Sequence, residues 1–259
     1  MRRKPTISDQ LRVLFALMVR EMTSRYGRTA GGFVWAFLEP LGTVLLLSLV
    51  FSQIARHPPL GSNYPVFFAS GYMAFHIYMD IARSVSLAAR TNRTLLSFPI
   101  VTVLDTIIAR FLLQLITNIT TFSIIMTLII VTQDASVGID LTQVFMAIAI
   151  AALLGLGVGA MNNALFALSP SYERVFGIVN RPLFLISGVF FLYEHLPAGA
   201  QALVIWNPLI HLTAIMRRGF YPYYEAAWVQ PMIVALFGLG CLLLGILLTR
   251  AMRPRLLEQ

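Results

Sequence analysis

The residues best suited to covalent or metal chemistry are few in this sequence, and their spacing argues against both. The chain of 259 residues has four histidines, one cysteine and one lysine: His57, His76, His195, His211, Cys241 and Lys4. The histidines form no HExxH pair, no GxSxG nucleophile motif occurs, and the lysine is not part of a GxxxxGK[ST] phosphate loop. We therefore expect no catalytic residue, metal site or cofactor in this chain, and we interpret His76 as a hydrogen-bonded packing residue.

Aromatic side chains are the groups that could hold a ligand. Nine lie between residues 190 and 228: Phe190, Phe191, Tyr193, Trp206, Phe220, Tyr221, Tyr223, Tyr224 and Trp228. Sugar rings have apolar faces that stack on aromatic rings, while tyrosine hydroxyls bond to sugar oxygens. The pattern fits a path that holds a long glycan weakly at many points, and it equally fits the aromatic belt of a membrane protein.

From this segment we single out nine candidates for a substrate path: Phe190, Phe191, Tyr193, Trp206, Arg217, Arg218, Tyr221, Tyr223 and Tyr224. The two arginines could meet an anionic polymer, or could pair with lipid phosphate or with Glu194 and Glu225.

The composition is that of an integral membrane protein. Hydrophobic residues make up 58% of the chain and charged residues only 12%, with a mean hydropathy of +0.78. A soluble domain carries about 25% charged residues, so this chain has too few to coat a surface in water. The net charge of +8 comes from arginines between apolar runs rather than from a basic soluble surface, which disfavours nucleic-acid binding.

Six apolar segments are long enough to cross a bilayer, which takes about 20 residues. They are Phe33–Ile54, Pro65–Ala82, Thr106–Val131, Val144–Leu168, Val175–Tyr193 and Trp228–Thr249. The third is the most polar, and its polar side chains should face protein or water: Gln114, Asn118, Thr120 and Thr121. Sixteen of the 19 cations fall on one side of these spans, which predicts that both chain ends are cytoplasmic.

Ionisable residues inside the spans are candidates for ion coupling. Glu39, Asp80, Arg110 and Arg181 are all expected within a turn or two of the cytoplasmic ends. None therefore marks a midplane ion site, which disfavours a proton- or sodium-coupled carrier.

Two segments depart from a simple bundle. Apolar residues at helical spacing after Thr6 predict an amphipathic helix in the membrane interface or against a soluble partner. The stretch 194–227 is apolar but broken at Pro208, which predicts two short re-entrant helices on the outer side. In helix four, Gly155, Gly157 and Gly159 predict close packing within the subunit or at a dimer seam.

Three stretches resemble ABC-2 type exporter permeases, in order and spacing, over nearly the whole chain. The start of their first span is similar to SRYGRTAGGFVWAFLEPLG, and their cytoplasmic loop is similar to NRTLLSFPIVTVLD. Their fifth span and re-entrant helices are similar to SGVFFLYEHLP followed by WNPLIHLTAIMRRGFYP. The first-span motif comprises Arg25, Tyr26, Gly32, Trp35, Glu39 and Pro40. In the loop, apolar residues on the inside face suit docking to a soluble partner, and the resemblance implies an ATPase-coupling role for Asn92, Leu95, Leu96, Phe98 and Pro99. The alternative for these loop residues is a segment resting on lipid.

The resemblance implies an all-α ABC-2 permease fold of six spans. It divides the chain into a cytoplasmic arm (residues 1–32), a transmembrane domain (33–249) and a basic tail (250–259). The transmembrane domain includes the coupling loop (86–104) and the re-entrant outer segment (194–227). The resemblance also implies a homodimer with two copies of a separate ABC ATPase, which would bind ATP and Mg.

The likeness is greatest to the capsular polysaccharide permeases of Gram-negative inner membranes. The expected cargo is then a lipid-linked polysaccharide, with a periplasmic co-polymerase or export adaptor and an outer-membrane channel as further partners. An ABC-2 permease for O-antigen, teichoic acid, a lipid or a drug stays open. Two alternatives from different functional classes also stay open: a membrane-embedded transferase and a secondary carrier.

Overall fold

The computed structural model describes residues 7–26, 31–96, 100–133 and 138–251, and in these ranges the chain is helical without any strand. The side chains of residues 7–9, 25, 26 and 170 are not described. The helices are α1 Ile7–Tyr26, α2 Gly32–Ile54, α3 Tyr64–Ser86, α4 Ala88–Thr91, α5 Arg93–Leu96, α6 Val103–Thr132, α7 Leu141–Leu168, α8 Pro170–Leu185, α9 Ala198–Val204, α10 Pro208–Arg218 and α11 Pro231–Ala251. A single 3₁₀ turn, Tyr193–His195, precedes α9.

Polar side chains fix where two of the long helices begin. The Thr102 hydroxyl accepts a hydrogen bond from the Asp105 amide at 3.2 Å, and the Asp105 carboxylate accepts one from the Thr102 amide at 2.8 Å. This reciprocal cap satisfies two backbone donors at the start of α6. Asp140 caps α7 through the amides of Thr142 and Gln143.

The long helices run between two ends of the molecule. At the first end α3 is followed by α4 and α5, and α1 packs against α6 and reaches Asn92 through Arg20. The second end holds α9, α10 and residues 55–63 and 219–230; there the Asp140 amide donates to the Gly219 carbonyl at 2.9 Å. Helices α2, α3, α6, α7 and α11 pass from one end to the other, and α8 starts at the first end.

Helix α7 is the centre of the bundle, and its glycines let two neighbours approach it. A Cβ atom on Gly155 would lie 2.8 Å from the Tyr78 carbonyl oxygen of α3, and one on Gly159 would lie 2.7 Å from Val85 Cβ. Gly157 turns the other way, toward α11. The glycine motif of the sequence therefore packs helices inside this subunit.

Four described helices are long and apolar enough to cross a membrane: α2, α6, α7 and α11. Helices α9 and α10 pass the same test together, but they meet at a bend of 99°, which matches two short helices rather than one straight span. Helix α3 has 23 residues and is less apolar, while α8 has only 16. Within the described residues the fold is thus all-helical and membrane-embedded, with four helices, or five counting the bent pair as one, suited to crossing a membrane.

Two predicted segments differ from the helices observed. The fifth segment, Val175–Tyr193, is helical from Pro170 to Leu185 and then turns at Gly188, whose φ is 79°. The sixth, Trp228–Thr249, becomes helical only at Pro231. In both places apolar residues continue beyond the helix, so hydropathy alone misplaces the boundary.

Candidate functional site

The predicted coupling residues lie at the first end, where α4 and α5 form two short turns. Asn92 is buried between these turns; its side-chain oxygen accepts from Arg20 of α1 at 3.2 Å and its amide donates to the Ala88 carbonyl at 3.1 Å. Leu96 is buried in the core, and Leu95 is half-buried. Phe98 and Pro99 lie outside the described residues, so their role stays a prediction.

Helix α1 is held to the same end by a buried ion pair. The Arg110 guanidinium of α6 donates to the Glu21 carboxylate and, at 2.9 Å, to the Ser84 carbonyl of α3. Both charged side chains are largely buried. Because an unpaired charge here would be costly, the pair fixes α1 against α3 and α6.

Two further contacts connect α4 to the helices that follow. The Ala89 amide donates to the Asn163 side chain of α7 at 2.9 Å. Arg90 and Glu173 of α8 form an exposed ion pair, also at 2.9 Å. Together with the Arg20–Asn92 hydrogen bond, these contacts join the segment of α4 and α5 to α1, α7 and α8.

The first-span motif surrounds the passage from α1 into α2. Gly31, with a φ of 76°, precedes Gly32, where α2 begins. Trp35 and Glu39 are exposed, and Pro40 is buried inside the helix. The motif's remaining members, Arg25 and Tyr26, close α1, and their side chains are not described.

The aromatic candidates fall into different surroundings at the second end. Tyr193 stacks on Trp228 with ring centroids 4.2 Å apart, and the Trp228 indole donates to Glu194 at 2.7 Å. Tyr224 donates to the other Glu194 oxygen at 3.2 Å. Burial, reinforced by the nearby carboxylate of Glu194, raises the pKa of Tyr224, so its phenol stays protonated and able to donate.

Arg217 is buried inside the subunit, with only 2% of its surface exposed. It donates to the carbonyls of Val189 at 2.9 Å and Phe191 at 3.1 Å, and it lies 4.1 Å from the centroid of the Phe67 ring. These contacts brace the turn after α8 against α10 and α3. Arg217 thus links α10 to α3 and to the turn after α8 inside the subunit.

The other candidates range from buried to fully exposed. Tyr221 is buried, Arg218 and Phe191 are half-buried, and Trp206 and Tyr223 are exposed by 85% and 66%. Trp206 borders an apolar cleft of about 200 Å³ between α10 and α11. The structure therefore does not gather all nine candidates on one surface, and a role for each in a substrate path stays a prediction.

Phe190 belongs to a cluster of rings between α2, α3 and α8. Its ring centroid lies 5.0 Å from that of Phe184, 5.9 Å from that of Phe51 and 6.5 Å from that of Phe68. Sequence spacing could not reveal this cluster because its members come from three helices.

A polar group on α3 joins residues that the sequence indicated only one by one, His76 as a hydrogen-bonded packing residue and Asp80 as an ionisable group near a helix end. The His76 side chain does pack inside, but its buried Nδ1 has no hydrogen-bond partner among the described residues. The Asp80 carboxylate accepts a hydrogen bond from Gln114 of α6 at 2.8 Å, and the same oxygen lies 3.9 Å from His76 Nδ1. The His76 ring packs edge-on against Tyr72 at 5.4 Å. The signal available in the sequence was the four-residue spacing of Tyr72, His76 and Asp80 along one helix face.

Within the ranges that the structure describes, no group of three or more His, Cys, Asp or Glu side chains could hold a metal ion. Two features stand out instead. At the first end, buried polar contacts join the helices, and between α2, α3 and α8 there is a group of aromatic and polar side chains.

Comparison with known proteins identifies relatives over almost the entire chain. Residues 12–221 match the family described as ABC-2 type transporter. The polysialic acid transport protein KpsM of Escherichia coli is 27% identical over 242 residues, covering 93% of this chain and 94% of that protein. The capsule polysaccharide export inner-membrane protein CtrC of Neisseria meningitidis is 29% identical over 92% of this chain and 89% of its own. The corresponding protein BexB of Haemophilus influenzae is 27% identical, with 95% and 93% covered.

Proposed function

The chain belongs to the ABC-2 type transporter family, and from that premise we propose that it is the membrane subunit of an ATP-driven exporter of capsular polysaccharide. It resides in the bacterial inner membrane as a multi-pass protein. The cargo is a lipid-linked polysaccharide that moves from the cytoplasm to the periplasm. The observation that carries this proposal is the alignment of 92% or more of the chain with three proteins named for polysialic acid or capsule transport.

The proposed topology has six spans with both chain ends in the cytoplasm. It counts α2, α3, α6, α7, α8 and α11 as spans, and treats α9 and α10 as a re-entrant pair. The arginines support it: those at the first end include Arg12, Arg20, Arg83, Arg90, Arg93, Arg174 and Arg250. The second end has Arg56, Arg217 and Arg218. Because cytoplasmic loops are rich in cations, the first end is cytoplasmic.

The proposed engine is a separate ABC ATPase that binds ATP and Mg and docks on α4, α5 and the adjoining loop. Leu95 is half-buried and available to a partner at that surface. The contacts of Asn92 with α1, of Ala89 with α7 and of Arg90 with α8 would spread the movement of the docked partner. In this account the chain itself catalyses no reaction and needs no cofactor.

The active assembly in this proposal contains two copies of this chain and two ATPases. Large exposed apolar residues on α2, α8 and α11 provide surface for lipid and for the second copy. A periplasmic co-polymerase or adaptor and an outer-membrane channel would receive the polymer. The three domain regions of the sequence keep their proposed roles: residues 1–32 as the arm, 33–249 as the transmembrane domain and 250–259 as the tail.

Deleting the gene and restoring it tests the function directly. We expect cells without the chain to lose surface capsule and to accumulate the lipid-linked polymer inside, and we expect the wild-type gene to reverse both effects. Electron microscopy with a polymer-specific antibody separates surface from internal polymer. Loss of a different surface glycan would assign a different cargo, and unchanged surface polymer would contradict the proposal.

A further inference from the structure

We propose that Tyr72, His76 and Asp80 of α3, together with Gln114 of α6, form a site that binds the hydroxyl groups of the passing glycan. This inference rests on the proposed export function and adds a binding site in the cytoplasmic half of the path. The site lies on the inner part of α3: Asp80 is six residues before Ser86, a rise of about 9 Å from the helix end.

The geometry brings four different polar groups together. Spacing by four residues places Tyr72, His76 and Asp80 on one face of α3. Gln114 holds one Asp80 oxygen at 2.8 Å, and His76 Nδ1 approaches the same oxygen at 3.9 Å. The other carboxylate oxygen makes neither of these contacts, so it can accept from a ligand. The Tyr72 ring packs edge-on against the His76 ring, with centroids 5.4 Å apart.

Exposure distinguishes this group from an internal polar contact. The Asp80 side chain is 31% exposed, although it sits within a 23-residue helix packed between α2, α6 and α7. A carboxylate facing hydrocarbon costs several kcal/mol, so such residues face water or a polar partner. Gln114 is such a partner for one Asp80 oxygen, and the exposed part of the carboxylate is left to face water or lipid headgroups rather than hydrocarbon.

Charged residues on two neighbouring helices point to the same conclusion. Glu39 of α2 is exposed and lies close enough to Tyr72 to interact with it electrostatically. Arg181 of α8 is exposed eleven residues after the helix begins at Pro170, about 16 Å along its axis. The expectation that Arg181 lies within a turn or two of the cytoplasmic end was therefore wrong, because α8 begins at Pro170 rather than at Val175. Arg181 lies one turn before Phe184, whose ring contacts Tyr72 at 6.2 Å. A carboxylate thus lies near the proposed site, and α8 carries a guanidinium one turn before the residue that contacts Tyr72.

An incompletely satisfied nitrogen gives a second, independent indication. His76 Nδ1 is buried and has no hydrogen-bond partner, since its distance to Asp80 exceeds hydrogen-bonding range. Buried polar atoms without partners are rare, and each needs an explanation. Because this nitrogen is buried, a sugar hydroxyl would reach it only after the His76 side chain, 12% exposed, shifts toward Asp80.

The composition of the site suits a polyhydroxylated chain. A carboxylate accepts hydrogen bonds from sugar hydroxyls, and the half-buried Tyr72 side chain adds an aromatic ring beside it. Toward the second end the polar group gives way to rings, because Tyr72 contacts Phe184 and Phe184 contacts Phe190. A glycan would thus move from hydrogen-bonding groups to a stacking surface.

Cysteine labelling tests whether Asp80 faces a water-filled path. Cys241 is the one cysteine of the sequence, so Cys241→Ala gives a background into which Asp80→Cys is introduced. Inside-out membrane vesicles are treated with a membrane-impermeant methanethiosulfonate reagent. We expect labelling about 10-fold or more faster than at Leu243→Cys, an exposed position on α11, because thiolates form in water and not in lipid.

Protection by polymer identifies the space as the path. Vesicles from cells that make the polysaccharide, prepared without ATP so that polymer stalls in the exporter, should label Asp80→Cys several-fold more slowly than vesicles from cells blocked in polymer synthesis. Labelling no faster than at Leu243→Cys would overturn the inference, as would labelling that polymer does not slow.

A functional variant measures what the carboxylate contributes. Asp80→Asn keeps the shape of the side chain but removes its charge, and we expect export to fall about 10-fold, the loss of one charge-assisted hydrogen bond. Glu225→Gln, an exposed carboxylate at the second end, is the matched control and should export normally. ATPase co-purification verifies that each variant assembles.

The two proposals fail separately. If the wild-type gene restores surface polymer and Asp80→Asn exports equally well, the binding site is wrong while the export function stands. If removing the whole chain leaves surface polymer unchanged, the export function itself is wrong. Dimers lost in Asp80→Asn would instead assign Asp80 to a contact between two copies.

Discussion

Gly157 of α7 lies against Gly238 of α11 so closely that a Cβ atom on Gly157 would stand 2.1 Å from the Gly238 carbonyl oxygen. No rotation of a side chain can relieve this approach, because the opposing atom is backbone. With Gly155 and Gly159 turned toward α3, three glycines on one helix serve two interfaces. Small residues permit this in a membrane, where packing replaces the hydrophobic drive.

Gly157→Ala should therefore separate α7 from α11 and reduce the amount of folded protein. Overpacking typically costs 1–3 kcal/mol, and we expect about the upper end of that range because backbone must move. Thermal unfolding of the detergent-solubilised protein measures the effect. Gly240→Ala on α11, where no atom lies within 4 Å of the new Cβ, should unfold like the wild type; equal stability of both variants would contradict the packing argument.

Glu21→Gln should destabilise the attachment of α1. The change leaves the buried Arg110 guanidinium without its carboxylate, and breaking a buried ion pair costs about 3–5 kcal/mol. Thermal unfolding and proteolysis of the N-terminal region report the loss. Glu173→Gln removes the exposed partner of Arg90 and should cost at most about 1 kcal/mol. A larger loss of stability from Glu173→Gln than from Glu21→Gln would show that burial does not determine how much these ion pairs stabilise the protein.

Leu95→Asp should weaken binding of the ATPase without unfolding the chain. The residue is half-buried at the first end, so a charge can reach water in the free subunit but would be trapped unpaired under a docked partner. Co-purification with the ATPase measures the interaction. Tyr223→Asp, exposed at the second end, should leave co-purification unchanged, and normal ATPase binding by Leu95→Asp would argue for an interfacial segment that rests on lipid.

Tyr223→Ala should lower polysaccharide export while assembly with the ATPase continues. The ring is 66% exposed, so its removal leaves no internal cavity, and loss of a stacking contact is worth about 1 kcal/mol, or several-fold in rate. Surface polymer relative to ATPase co-purification is the measurement. Tyr221→Ala should instead reduce folded protein, because Tyr221 is buried. Normal export by Tyr223→Ala would assign that ring to the aromatic belt.

The helix positions were largely predictable because lipid sets both the length and the composition of a span. Predicted Phe33–Ile54 and Val144–Leu168 correspond to α2 at Gly32–Ile54 and α7 at Leu141–Leu168. The fifth segment was misplaced because α8 begins with polar residues after Pro170, while the apolar residues after Leu185 turn at Gly188.

The side-chain surroundings were not predictable, because they depend on how each helix is rotated against distant ones. Asp80 and Gln114 are 34 positions apart in the chain and meet only when α3 packs on α6. Arg217 was expected to meet an anionic polymer, lipid phosphate or a carboxylate on the outer side, yet it is buried and donates to the carbonyls of Val189 and Phe191. Hydropathy indicates how deep in the membrane a residue lies, but it does not indicate which neighbouring helix the side chain faces.

Reconstitution tests the central claim most directly: this chain is a conduit that a separate ATPase drives. The chain is placed in proteoliposomes with and without its ATPase, and lipid-linked polysaccharide crossing the bilayer is measured together with ATP hydrolysis. The account predicts transport only when both proteins and ATP are present. Nucleotide hydrolysis by the chain alone, or polymer transport without ATP, would contradict it.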